Sequence, residues 1–185
     1  MWYLVDKRGC LDDVIVDSVL SYYFKSKSIG YVDTSVIELV EKSQCETPFS
    51  NYKDGYVAVK NFNKRHWVFV YVSYKDKTFY VVDPMHERVA PCSIDFVNKL
   101  KSNPPDKDSK WNLNEFEIEQ IEHTKQTDGW NCGVFCIEFA LKVLHSFPNT
   151  PEDLLIGSEF DEFRQYYAAL LLGISEKIKP DLDKN

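Results

Sequence analysis

The run from Cys132 to about His145 constrains the fold more than any other stretch, because Val134, Phe135, Ile137, Phe139, Leu141, Val143 and Leu144 leave it apolar on nearly every side. A helix of that kind belongs in a core, so the rest of the chain must be arranged around it. The preceding segment, Gln126-Thr127-Asp128-Gly129-Trp130-Asn131, is polar and turn-prone. Cys132 therefore sits where a loop enters the N-terminus of a buried helix, and the positive end of the helix dipole there favours a thiolate. Asn131 and Gly133 leave little side-chain bulk around the sulfur. Gln126, six residues upstream, is placed to reach back over the thiol and donate a hydrogen bond to an oxyanion.

The other elements are of both kinds. Leu11, Val14, Ile15, Val19, Tyr22 and Tyr23 recur at helical spacing, with Asp12 as cap. Ser35 and Glu38 have capping-box spacing at a second, short helix after Asp33-Thr34. The period then changes. Tyr56–Val59, His66–Val72 and Thr78–Asp83 are rich in β-branched and aromatic residues and predict strands, the last two joined by a hairpin turn at Tyr74–Lys77. Pro84 ends the third, since it has no ladder donor to give. A hairpin runs antiparallel, so His66 at one strand's start and Asp83 at the next strand's end are predicted neighbours at one sheet edge. Ser93–Leu100 reads as a helix and Phe116–Ile121 as a half-buried strand. A closing amphipathic helix is marked by Phe160, Phe163, Tyr167, Leu170, Leu171 and Ile174. Pro48–Gly55 and Asn103–Asp108 read as loops, and residues from about 177 to 185 as a charged tail on a single α+β domain spanning 1–185.

Composition narrows the function. Apolar residues at 44% and aromatics at 15% predict globular packing, while a net charge of −7 argues against nucleic-acid or anionic-membrane partners, which require clustered Lys and Arg. Five cysteines without regular spacing, and an N-terminal Met1–Val5 that gives way at once to Asp6-Lys7-Arg8, predict free thiols in an intracellular setting, cytoplasm or nucleus. Cys132 and Cys136 lie one helical turn apart, but His123 and His145 are only scattered singles, so neither a metal centre nor a cofactor is expected.

Cysteine-based acyl transfer needs a thiolate, a base, a group that orients the base and donors for the oxyanion. Cys132, His66, Asp83 and Gln126 supply those four types on predicted element ends. Taken singly, each has a structural explanation: a buried thiol, a sheet-edge imidazole, a turn carboxylate before proline, a loop amide. His86 leaves a substrate-facing role open through its closeness to Asp83.

The order His66-Trp67, Asp83, then Gln126 and Cys132-Gly133, resembles the ubiquitin-like-protein-specific cysteine protease family, which includes the SUMO proteases. Leu11-Asp12-Asp13 resembles its Leu-Asn-Asp opening motif, and Asp161–Leu172 around Phe163-Arg164 resembles its closing helix. The resemblance implies a papain-like α+β fold, with a mixed, mainly antiparallel sheet flanked by helices and the nucleophile at the head of a buried one. It implies a monomeric thiol protease that cleaves after the C-terminal Gly-Gly of a ubiquitin-like modifier (SUMO, Nedd-type or ubiquitin), by precursor maturation or isopeptide release. Trp67 would lie flat over the glycine tail, where only glycines leave room for an indole, with Asp13, Trp130 and Gly133 as further substrate contacts. The sequence departs from the family where Cys10 stands for a tunnel Trp and Asn131 for the Asp before the nucleophile. Certain effector acetyltransferases resemble the same arrangement, and a modifier-binding module without activity is a further reading. Trp67 and the intact catalytic set favour proteolysis.

Overall fold

Successive strand residues point to opposite faces, and in Tyr56–Val59 and Trp67–Val72 both sets are apolar, which requires cover on both sides of the sheet. The computed structural model describes residues 6, 8–25, 27–42, 52–102 and 111–173. Its elements in chain order are α1 (Asp13–Phe24), β1 (Ile29–Val32), α2 (Thr34–Glu41), β2 (Gly55–Phe62), β3 (His66–Ser73), β4 (Thr78–Val82), α3 (Pro91–Ser102), a 3₁₀ turn (Leu113–Glu115), β5 (Glu117–Glu119), β6 (Glu122–His123), α4 (Cys132–Ser146), β7 (Asp153–Leu154) and α5 (Phe160–Leu171).

Strands β1 to β5 form one mixed sheet in that spatial order, antiparallel at β2/β3 and β3/β4 and parallel at both edges. The alternation divides its side chains between two cores. Val57, Val59, Trp67, Phe69 and Tyr71 pack with α1, α4 and α5. Tyr56, Ala58, Val68, Val70 and Val72 pack with α2 and α3 on the other face. Helix α4 lies against β3 and is buried along most of its length, as its all-round apolar sequence requires. The fold is α+β.

Three sequence expectations need correction, and one strand escaped the sequence reading. Helix α1 buries Ile15, Val16, Val19, Leu20 and Phe24, while Val14 and Tyr22 face solvent; the buried stripe is rotated by about one residue from the predicted one. At α2 the cap is Asp33, which accepts from the Ser35 backbone and hydroxyl, so Ser35 serves the cap as a donor and does not head a capping box with Glu38. Of Phe116–Ile121 only Glu117–Glu119 is a strand: β5 completes the main sheet and ends before Gln120, and β6, starting beyond it at Glu122, pairs with β7. Strand β1, in which all four residues are buried, carries no alternation by which to be read. The predicted loop at Asn103–Asp108, the charged tail and Ile174 lie outside the described residues.

Candidate active site

The β3/β4 hairpin sets the first two side chains. Phe69 pairs with Val82, so the next residues, Val68 and Asp83, are level, and His66 lies two further along on the same face as Val68. His66 Nε2 and Asp83 Oδ1 are 2.9 Å apart. Asp83 is 1% exposed, and its Oδ1 also accepts the Met85 backbone N–H at 3.0 Å. Its Oδ2 is buried without a hydrogen bond among the described residues. The His66 ring is raised to about 9, first by its hydrogen bond to Asp83, then by interaction with Cys132, with burial opposing both. Since Nε2 serves the carboxylate, Nδ1 is the nitrogen left for the thiol. It is buried and holds no formed hydrogen bond, and the Cys132 S–H instead points to the Arg65 carbonyl at 3.8 Å.

Cys132 is the first residue of α4. Phe135 N–H is bonded to Asn131 O, so the N–H groups of Cys132, Gly133 and Val134 have no partner within the helix and can face an anion. Leu11 and Trp67 close over Gly133: a Cβ there would come 3.1 Å from Leu11 Cβ and 3.2 Å from Trp67 Cδ1 and Nε1. Trp67 Nε1–H donates to the Leu11 carbonyl at 3.1 Å, and the indole is 0% exposed. The indole is therefore buried in this conformation, with Leu11 at its edge, and is not open to a substrate tail as expected. The Cys10 thiol is pushed up by burial and by the nearness of Cys132.

Gln126 is buried, yet its amide does not lie free above the sulfur as expected. Nε2 donates to the Asp128 carbonyl at 2.9 Å and to Asp128 Oδ1 at 3.1 Å, and Oε1 is buried without a partner. Two oxygens facing the same end of the amide fix which end is nitrogen. Asp128 also accepts the N–H groups of Trp130 and Asn131 and the Asn131 side chain. Burial would raise its carboxyl, but these bonds outweigh burial and hold it below the usual range.

Among the other expected contacts, Asp13 accepts from Asn61 Nδ2 at 2.8 Å, and Asn61 pairs with Trp67 across β2 and β3, which places Asp13 beside the buried indole. Trp130 is half-buried at the loop surface with the Arg8 guanidinium 5.7 Å above its ring. Exposed His86 meets the His66 ring edge-on at 6.1 Å. Sequence reasoning missed two residues. His123 Nε2 lies 3.1 Å from the Asp83 carbonyl, with Nδ1 3.1 Å from Ile121 O. Arg164, from α5, is buried against the loop that leads into Cys132. Its signal was present: a charged residue flanked by the apolar Phe163 and Tyr167 must find polar partners inside. Among the described residues no group of three or more His, Cys, Asp or Glu could hold a metal ion, and no helix is long and apolar enough to cross a membrane.

No curated protein matches the sequence. Among solved structures, the chain is similar to the SUMO protease Ulp1 with its catalytic cysteine oxidised to a sulfenic acid, at 17% identity and a TM-score of 0.72, covering 95% of this chain and 82% of that one. It is similar to the C-terminal Ulp1 protease domain in complex with Smt3, the yeast ortholog of SUMO, at 17% identity and a TM-score of 0.73, covering 92% and 80%. It is similar also to the Xanthomonas campestris effector XopD bound to ubiquitin, at 15% identity and a TM-score of 0.61, covering 86% and 90%. At such identities these likenesses speak for the fold. The family itself follows from the sequence match, which runs over residues 25–177 and takes in His66, Asp83, Gln126 and Cys132: the chain belongs to the Ulp1 protease family, to its C-terminal catalytic domain.

Proposed function

We propose that this protein is an intracellular thiol protease that cleaves after the C-terminal Gly-Gly of a ubiquitin-like modifier, maturing precursors, releasing conjugated targets, or both. The observation that carries this reading is the 2.9 Å contact of His66 with the buried Asp83 carboxylate, next to Cys132 at the head of α4, in a chain of this family. Relatives solved with Smt3 and with ubiquitin support a modifier as partner.

The chemistry assigned to each group follows from its position. Nδ1 of His66 takes the thiol proton, and Asp83 holds Nε2–H and stabilises the imidazolium. The thiolate attacks the carbonyl of the terminal glycine. The oxyanion forms facing the first N–H groups of α4, with Gln126 Nε2 as the side-chain donor once it gives up its longer contact to Asp128 Oδ1. Collapse expels the amine, which takes the proton from His66. Water, deprotonated by the same imidazole, then hydrolyses the thioester and restores the thiol. Asp13, Trp130 and Gly133 border the path of the tail, and contact with Trp67 requires Leu11 to move. The enzyme acts as a monomer without cofactor or metal.

The test is labelling by electrophiles carried on the C-termini of SUMO-, Nedd- and ubiquitin-type modifiers. One class should form an adduct at Cys132, abolished by Cys132→Ala. Failure of all three would overturn the reading.

A further inference from the structure

Arg164 is 1% exposed and reaches from α5 into the loop that carries Cys132. Its Nε–H donates to Asn131 Oδ1 at 2.8 Å, Nη2 to the Trp130 carbonyl at 3.1 Å and Nη1 to the Asp6 carbonyl at 3.4 Å. Asn131 does not use its side chain to cap α4. It passes the interaction on, Nδ2–H donating to Asp128 Oδ2 at 2.9 Å. Asp128 in turn holds Gln126 and the Trp130 and Asn131 N–H groups. The guanidinium and the carboxylate are thus joined through one amide. Among the negative groups that act on Arg164, Asp128 is foremost.

We propose that Arg164, Asn131 and Asp128 form a directional relay that positions Cys132 and Gln126, in which Asp128 supplies the counter-charge to the buried Arg164 through the Asn131 amide. These are positioning residues. The inference rests on the assignment of Cys132 as nucleophile.

The direction of the bonds is what makes the relay specific. Asn131 must present oxygen to Arg164 and nitrogen to Asp128. With Asp128→Asn, the new amide must keep its oxygen for the Trp130 and Asn131 N–H groups, so its NH2 meets the Asn131 NH2 and donor faces donor. With Asn131→Asp, the new carboxylate suits Arg164 but confronts Asp128, acceptor against acceptor, in a closed space. Exchanging the two restores every bond. The carboxylate at position 131 accepts from Arg164 and from the amide at position 128, whose oxygen still takes the two backbone N–H groups.

The experiment measures kcat and KM on a Gly-Gly modifier fusion, with thermal midpoints, for wild type, D128N, N131D and the double exchange. Each single change should lower kcat by about tenfold or more with KM held within about threefold, and the double exchange should return kcat to within about threefold of wild type. Singles with wild-type kcat, or a double variant as slow as the product of the singles, would overturn the relay. So would singles that lower the midpoint alone, which would make the network purely structural. Wild-type turnover is the internal control: if wild type labels with no probe and cleaves no fusion, the assignment of Cys132 has failed and the relay falls with it.

Discussion

His66 and Asp83 meet through Nε2 and Oδ1 at 2.9 Å, which commits that nitrogen to the carboxylate and reserves Nδ1 for the thiol. Asp83→Asn separates charge from geometry, because an amide oxygen can still accept both Nε2–H and the Met85 N–H. Turnover should fall by roughly 10²–10⁴-fold with the fold retained. The pH profile carries a second sign. Expulsion of the amine needs the imidazolium, which exists below the His66 pKa of about 9. Loss of the Asp83 charge lowers that pKa and moves the alkaline limb of kcat to lower pH. A variant with wild-type rate and an unmoved limb would show that another group orients His66.

Gly133 tests the cover over the site. A methyl group there meets Leu11 and Trp67 at 3.1–3.2 Å, tight enough that a neighbour must give by a few tenths of an ångström. In exchange, alanine removes the roughly 0.5–1 kcal/mol that glycine costs a helix. Gly133→Ala should therefore leave the thermal midpoint within a few degrees of wild type while slowing cleavage of a Gly-Gly fusion by about tenfold, since the proposed approach of the tail to Trp67 requires Leu11 to move. Unchanged kcat/KM would detach this contact from substrate handling.

Much of this arrangement was legible beforehand, for a physical reason. The alternation of β2 and β3 and the all-round apolar face of α4 are local signals, and with the hairpin they bring His66 to Asp83. Most of what stayed illegible depends on surroundings that the local pattern does not specify, chiefly contacts between segments far apart in the chain. Gln126 facing Asp128 was hidden because an amide's direction is set by whatever surrounds it. The buried state of Trp67 involves a bond to the carbonyl of Leu11, 56 residues away. Arg164 and Asn131 meet across 33 residues, and His123 and Asp83 across 40. Strand β1 lacked the alternation by which strands are recognised.

His123 makes a prediction of that hidden kind. Its ring, edge-on to Phe139, bonds the backbone carbonyl of Asp83 and so fixes where that carboxylate begins. His123→Phe keeps the aromatic packing and removes the bond. Expected is a fall in kcat of about tenfold at unchanged KM, from a misplaced Asp83. A fall in thermal midpoint with full kcat would assign His123 to stability alone.

Glu138 should give the fold an acid-side preference. It projects from α4 into the core and accepts a hydrogen bond from Tyr167 of α5, beside the Tyr23–Tyr166 hydroxyl pair. Burial raises its carboxyl from 4.5 to about 7, with the Tyr167 bond opposing. The folded protein therefore keeps a proton between those pH values that the unfolded chain releases, and stability falls as pH rises through that window. The whole effect amounts to about 3 kcal/mol, complete once the pH exceeds the folded value. Glu138→Gln keeps an acceptor for Tyr167 but cannot ionise. Urea unfolding at pH 5 and pH 8 should show wild type losing up to that amount between the two, and the variant losing far less. Parallel losses in both proteins would mean that Glu138 is not the group that titrates.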